Sequence, residues 1–218
     1  MLRIRTMTNF LFFSIVVLIT AVKADFLVNG GFEDPASIGI RLFNAGSNEL
    51  TGWQILTGSV DTVPISFYPS FQGRQSLDLD GAAAGSISQS LSVLPGEQYL
   101  LSFAYANNPN PGATIPASFR YTLNAGSNVL LSGELTHQSS TVSQMNYSIF
   151  GQTFVPNSSN LTLSFASLNP SGSVGGIALD AVSITSVPEP TSLFLFSAAG
   201  IFIGWLKIRR NRSRPSAP

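Results

Sequence analysis

Apolar residues through the middle of the chain recur at every second position, and a chain patterned this way can bury them only as strands. Tyr99, Leu101, Phe103 and Tyr105 alternate with Leu100, Ser102, Ala104 and Ala106, while Leu161, Leu163 and Phe165 alternate with Thr162, Ser164 and Ala166. Period two is the pleat of a half-buried strand. The same reading predicts strands at Gly52–Leu56, Ser59–Val63, Ser76–Asp80, Ser86–Leu91, Ser118–Leu123, Val129–Leu135, Tyr147–Phe154 and Ile177–Ile184. Breakers separate them: Pro95-Gly96, the run Asn107 to Gly112, Pro156-Asn157, and Asn169 to Gly172. No stretch of the middle sustains a helical apolar stripe. Short strands at this spacing point to an all-β, two-sheet sandwich.

The last of these strands changes phase. Ile177 and Leu179 share one face and Val182 and Ile184 the other, so a β-bulge at Asp180-Ala181 is needed to return both pairs to the core. Asn-Ala-Gly-Ser-Asn occurs at 44–48 and again at 124–128. The flanks do not align, and the segment reads as turn chemistry rather than as a repeat.

The chain has no cysteine, which excludes zinc–thiolate sites, iron–sulfur clusters and cysteine nucleophiles. A small exported domain without disulfides must hold together by its core or by a metal. The formal net charge of zero hides an uneven distribution. Between Asp25 and Val187 there are three arginines, no lysine and ten acids. An acidic interior of this kind lacks the cations that replace phosphate counterions, so no nucleic-acid partner is expected.

Both ends differ from the middle. Residues 1–24 read as a signal peptide: Arg3 and Arg5, an apolar run from Phe10 to Val22, then Val22-Lys23-Ala24 at the cleavage position. An uncleaved anchor is the alternative. At the other end, Val187-Pro188-Glu189-Pro190 leads into the apolar run Leu193 to Leu206, followed by Lys207, Arg209, Arg210, Arg212 and Arg214. Cations directly after such a run predict a single transmembrane helix over 193–208 with a cytoplasmic C-terminus. This order closely resembles the PEP-CTERM sorting signal. The resemblance implies export and processing by an exosortase-like membrane protease, in Gram-negative bacteria that secrete exopolysaccharide. Pro188, Glu189 and Pro190 would be the recognition signal. The basic tail runs longer than is common for such signals. The expected organisation is a leader at 1–24, a sandwich domain at 25–186 and a sorting tail at 187–218.

The middle carries a resemblance of its own. Leu27-Val28-Asn29-Gly30-Gly31-Phe32-Glu33 opens it; Gly52-Trp53-Gln54-Ile55 and Gly58-Ser59-Val60-Asp61 follow. Gly73-Arg74-Gln75-Ser76-Leu77-Asp78-Leu79-Asp80-Gly81 and Ile87-Ser88-Gln89-Ser90-Leu91 come next. Pro95-Gly96-Glu97-Gln98-Tyr99 and Leu179-Asp180-Ala181-Val182 complete the order. From Asp25 to Thr185 this resembles the choice-of-anchor C family of bacterial surface proteins. It is also similar to a plant cell-wall domain of unknown function and, more distantly, to galactose-binding-like carbohydrate modules. The resemblance implies a jelly-roll β-sandwich. It also implies that Glu33, near the first strand, and Asp180, in the last, could share a structural calcium, with backbone carbonyls and Asp34 or Asp25 completing the shell. The alternative is that both acids accept backbone hydrogen bonds at a sheet edge. The aromatic stretch Pro64 to Phe71 lengthens the usual connection.

Other residues bear on chemistry. Sugars are held by exposed aromatics beside polar groups, which makes Phe67, Tyr68, Phe71, Tyr105, Asn107 and Asn108 the candidate ligand-binding set; Trp53 reads as core. Asp78 and Asp80, two apart on a strand, share a face and could serve as a glycosidase pair, or form a solvated face. His137, the single histidine, lies in a polar run with no Gly-x-Ser-x-Gly elbow anywhere, and reads as an exposed loop residue. The expected function is a non-enzymatic exported surface or matrix protein that binds polysaccharide. A glycosidase using Asp78 or Asp80, or a purely structural surface protein, are the alternatives.

Overall fold

The computed structural model describes residues 25–188. The expected leader at 1–24 lies outside the described residues, as do Glu189, Pro190, the apolar run at 193–208 and the basic end. Eleven strands make up the described domain: β1 (Arg41–Asn44), β2 (Gln54–Thr57), β3 (Ser59–Pro64), β4 (Gln75–Asp78), β5 (Ser86–Ser92), β6 (Tyr99–Asn107), β7 (Ala117–Ala125), β8 (Asn128–His137), β9 (Ser148–Phe154), β10 (Asn160–Ser167) and β11 (Ile177–Ser186). They form two antiparallel sheets, one in the order β1-β3-β4-β11-β6-β9 and the other β2-β5-β10-β7-β8.

Alternation decides which residues lie between the sheets. Leu101 and Phe103 of β6 face inward against Phe119, Leu123, Leu163 and Phe165 of the opposite sheet. Phe103 is the hub, stacked on Phe150 with centroids 4.7 Å apart and edge-on to Phe165 at 5.1 Å. In a cysteine-free domain this aromatic packing supplies the cross-sheet cohesion that disulfides often provide. Trp53 is buried as expected, with its indole N–H donated to the Asn29 carbonyl at 3.1 Å.

The predicted bulge is present. The register of β11 on β6 shifts between Asp180 and Ser183, Ala181 takes φ +48°, and Leu179, Val182 and Ile184 all reach the core. The bulge takes the Val182 N–H out of the ladder, and the N-terminal segment satisfies it through the Gly30 carbonyl at 2.9 Å. A Cβ on Gly30 would overlap the Val182 backbone, so only glycine permits this approach. One consequence positions the site: past the bulge Ser183 falls on the outer face, opposite Ser102, with their hydroxyls 2.9 Å apart.

The pattern did not predict β1. Phe43 is its one buried side chain, and a four-residue strand offers too few positions for alternation to show. The 124–128 turn closes the β7–β8 hairpin, with Gly126 at φ +60°. The 44–48 copy is a separate turn, with Gly46 at φ +82°.

Candidate functional site

A groove of about 630 Å³ crosses the outer face of the six-stranded sheet. Its floor follows from register. Ile149 of β9 lies opposite Ala104 of β6, and Ser102 of β6 lies opposite Ser183 of β11 in the next row. Apart from Ile149 these are small, which leaves room above the sheet. Asn29, Gly30, Gly31 and Glu33 of the N-terminal segment and Phe71, Gln72 and Gly73 of the β3–β4 connection also line it. Phe71 is 45% exposed and packs edge-on against Tyr147 at 5.7 Å, so its ring is braced and still reachable.

Two carboxylates hold the Phe71 wall in place. Asp180, fully buried, accepts the Phe71 and Gln72 N–H groups on Oδ2, both at 2.9 Å, and its own neighbour Ala181 on Oδ1. Glu33 Oε1 accepts the N–H groups of Arg74 at 2.8 Å and Gln75 at 3.3 Å. Gln75 returns the contact, its amide donating to the Phe32 and Pro35 carbonyls and accepting the Ser37 N–H. Burial pushes the Asp180 carboxyl up to about 6 against the pull of its N–H donors, and the neighbouring Glu33 charge adds to the rise. Glu33 and Asp180 thus lie close to one another, and their visible work is to accept backbone N–H groups. Among the described residues no three acidic or histidine side chains converge as a metal site. Calcium, which takes six to eight oxygens, would draw its remaining ligands from backbone carbonyls.

The structure disperses the rest of the expected ligand-binding set. Phe71 lines the groove; Phe67 is exposed but does not line it. Tyr68 is 1% exposed, packed with Val63, Ala106, Met145 and Ala178 under its own loop, so it cannot stack on a sugar. Tyr105 points between the sheets against Phe103 and Phe119. Asn107 and Asn108 are buried because their amides cap internal backbone and side chains: Asn107 Oδ1 accepts the Ser140 N–H, and the Asn108 amide donates to Asp78.

Asp78 and Asp80 form neither a solvated face nor an open acid pair. Each is 1% exposed. Asp78 Oδ1 accepts the Asp80 and Gly176 N–H groups, both at 2.9 Å, and Asp80 Oδ2 accepts the Asn169 amide at 2.7 Å. These bonds tie the end of β4 to the loops leading out of β6 and into β11. Burial drives the Asp78 carboxyl up to about 7 despite its donors. His137 is also buried rather than exposed: it ends β8, receives the Asn107 N–H on Nδ1 at 3.1 Å, and sets Nε2 2.9 Å from the Asn146 carbonyl.

Ser102, Ser183, Gln72, Asn29 and Ile149 line the groove without having been singled out from sequence. The first two were within reach of it, because the alternation of β6 and the bulge in β11 together place both hydroxyls on one face.

Fold and groove define an all-β sandwich of two antiparallel sheets with an open cleft on one of them. A family model described as a protein of unknown function, DUF642, matches residues 25–185, and the chain belongs to that family. It is 26% identical over 178 residues to halomucin of Haloquadratum walsbyi, an alignment covering 79% of this chain and 2% of that protein's length. Among solved structures, TmCBM61 in complex with β-1,4-galactotriose is similar at a TM-score of 0.49 and 13% identity, covering 75% of this chain and 99% of that one. The N-terminal cellulose-binding domain of Cellulomonas fimi β-1,4-glucanase C is similar at 0.43 and 14%, covering 77% and 100%. A family 35 carbohydrate-binding module from Clostridium thermocellum gives 0.43 and 18%, covering 68% and 99%.

Proposed function

We propose that this is an exported, non-enzymatic surface or matrix protein whose domain binds a polysaccharide chain in the groove of the six-stranded sheet. One observation carries the binding reading: a braced, exposed aromatic ring stands over a floor of small residues with hydroxyl and amide groups beside it. A pyranose presents an apolar C–H face and a rim of hydroxyls, and that is the complement of Phe71 with Ser102, Ser183 and Gln72. The glycosidase alternative has less to stand on, since Asp78 and Asp80 are both buried and hydrogen-bonded.

The test is a glycan array probed with the protein and with Phe71→Ala and Phe67→Ala. Aromatic contacts of this kind are worth about 1 kcal/mol, so Phe71→Ala is expected to weaken binding roughly fivefold while Phe67→Ala changes little. Equal effects of the two substitutions would remove the groove from the reading. No binding at all would leave the structural alternative.

Two further parts of the proposal are separable. The tail would act as an address read by an exosortase-like protease, taking the precursor to the inner membrane and the product to the outer membrane, cell surface or matrix. Mass spectrometry of cell fractions that recovered the intact tail on a soluble cytosolic species would end that reading. Calcium at Glu33 and Asp180 would relieve the repulsion between the buried Asp180 carboxylate and its half-buried neighbour Glu33. In that case a chelator lowers the melting midpoint; an unchanged midpoint leaves hydrogen bonding as the pair's whole role.

A further inference from the structure

We propose that the groove selects uncharged pyranose chains and turns away chains that carry carboxylates or sulfates. The inference rests on the glycan reading above and deepens it by naming the ligand's charge class. It begins with what lines the groove. Asp25 and Glu33 are part of the lining, and Asp180 lies buried beneath it, opposite Ala104. Among the described residues no lysine or arginine lines it. Arg41 is paired with Glu49 on β1, and Arg120 with Glu134 on the other sheet. Arg74 follows the Phe71–Gly73 wall without lining the groove, and residues 25–188 contain no lysine.

The groups that remain are short-range and neutral: two serine hydroxyls, the Gln72 amide, and the apolar surfaces of Phe71 and Ile149, the Asn29 amide being taken up by Asp34 and Thr51. They match hydroxyls and C–H faces, and they supply no countercharge. A uronate or sulfate seated over this small-residue floor lies near the rim carboxylates, and no described lining residue carries a countercharge. Hydrogen bonds and stacking act at contact and are indifferent to ionic strength, whereas repulsion between partly exposed charges is screened within about 8–10 Å at physiological salt. Charge selection therefore carries a salt signature that shape selection lacks.

The experiment measures binding of the full chain, solubilised in a zwitterionic detergent without a sugar headgroup and with chelator present. The probes are soluble β-1,4-galactan, β-1,4-glucan and β-1,4-xylan, each beside its carboxymethylated form. At about 20 mM salt the carboxymethylated form of whichever chain binds is expected to be at least tenfold weaker than its parent, and at about 500 mM most of that gap closes. Asp25→Asn with Glu33→Gln, which removes two charges and keeps the acceptor oxygens, is expected to narrow the gap at low salt. A carboxymethylated chain bound as tightly as its parent overturns the proposal. So does a gap that salt does not move, because that is steric exclusion. Failure of every chain, charged or not, overturns the glycan reading itself, and is distinguishable from both. If the double variant does not fold, the salt series on the native chain decides alone.

Discussion

At the scale of single residues, the Phe71 wall depends on a glycine. Gly73 adopts φ +71°, a conformation that disfavours side chains, and a Cβ there would also overlap Oε1 of Glu33. Gly112 makes a useful contrast: its φ is +91°, yet nothing lies within 4 Å of the place a Cβ would take. Gly112→Ala meets only the left-handed strain, about 1–2 kcal/mol. Gly73→Ala meets that strain and also drives Glu33 off the Arg74 and Gln75 N–H groups, which costs about 1 kcal/mol more for the lost hydrogen bonds. Denaturant unfolding is expected to rank Gly73→Ala clearly below Gly112→Ala, and equal losses would mean that Glu33 is not the brace. The same scale shows where sequence reading misled. Asp78, Asp80, His137, Asn107 and Asn108 are of types usually found at the surface, and all five are buried. Residue type predicts exposure only when no partner is present, and here the partners come from distant segments: Gly176 for Asp78, Asn169 for Asp80, Asn107 for His137. Those pairings are tertiary and leave no mark on local spacing.

At the scale of elements, legibility follows strand length and phase. The long strands β6, β7, β10 and β11 carry enough alternating positions to reveal both their existence and their inward faces. The phase change in β11 was visible as a mismatch between two apolar pairs, and it correctly placed a bulge at Asp180-Ala181. That one irregularity also builds the site. It turns Ser183 onto the face of Ser102, and it leaves Asp180 directed outward to receive the Phe71 and Gln72 N–H groups. The aromatic stretch from Pro64 to Phe71 was legible as an unusual insertion but not as a cover. Its residues split according to packing, Tyr68 inward and Phe71 toward the groove, which no periodicity in a loop can encode. Four-residue β1 lay below the threshold at which a pattern exists.

At the scale of the whole molecule, the distribution of acids sets how stability should respond to pH. The domain combines ten acids with three arginines, and two of its carboxyls away from the groove sit where water cannot reach them freely. Burial holds Asp78 at about 7 and Asp61 at about 6, against an ordinary carboxyl near 3.8. In the unfolded chain both lose their protons near pH 4; in the folded domain they keep them until pH 6 or 7. The native state thus binds more protons than the unfolded state across that window, so stability falls as pH rises through it and levels off above about pH 7. Repulsion among the surface acids runs in the same direction. Melting midpoints are therefore expected to be higher at pH 5 than at pH 7.5, by the equivalent of a few kcal/mol at most, since a tenfold change in proton affinity is worth about 1.4 kcal/mol. Asp78→Asn separates the causes. It removes the larger titration and should flatten the slope, while lowering the midpoint at every pH, because an amide nitrogen then faces the Asn108 amide that now donates to Asp78. A midpoint that rises from pH 5 to 7.5 would mean that Asp78 is ionised in the folded domain. The Asn108, Asp80 and Gly176 donors would then outweigh burial, and the end of β4 would be held by a charge rather than by a neutral carboxyl.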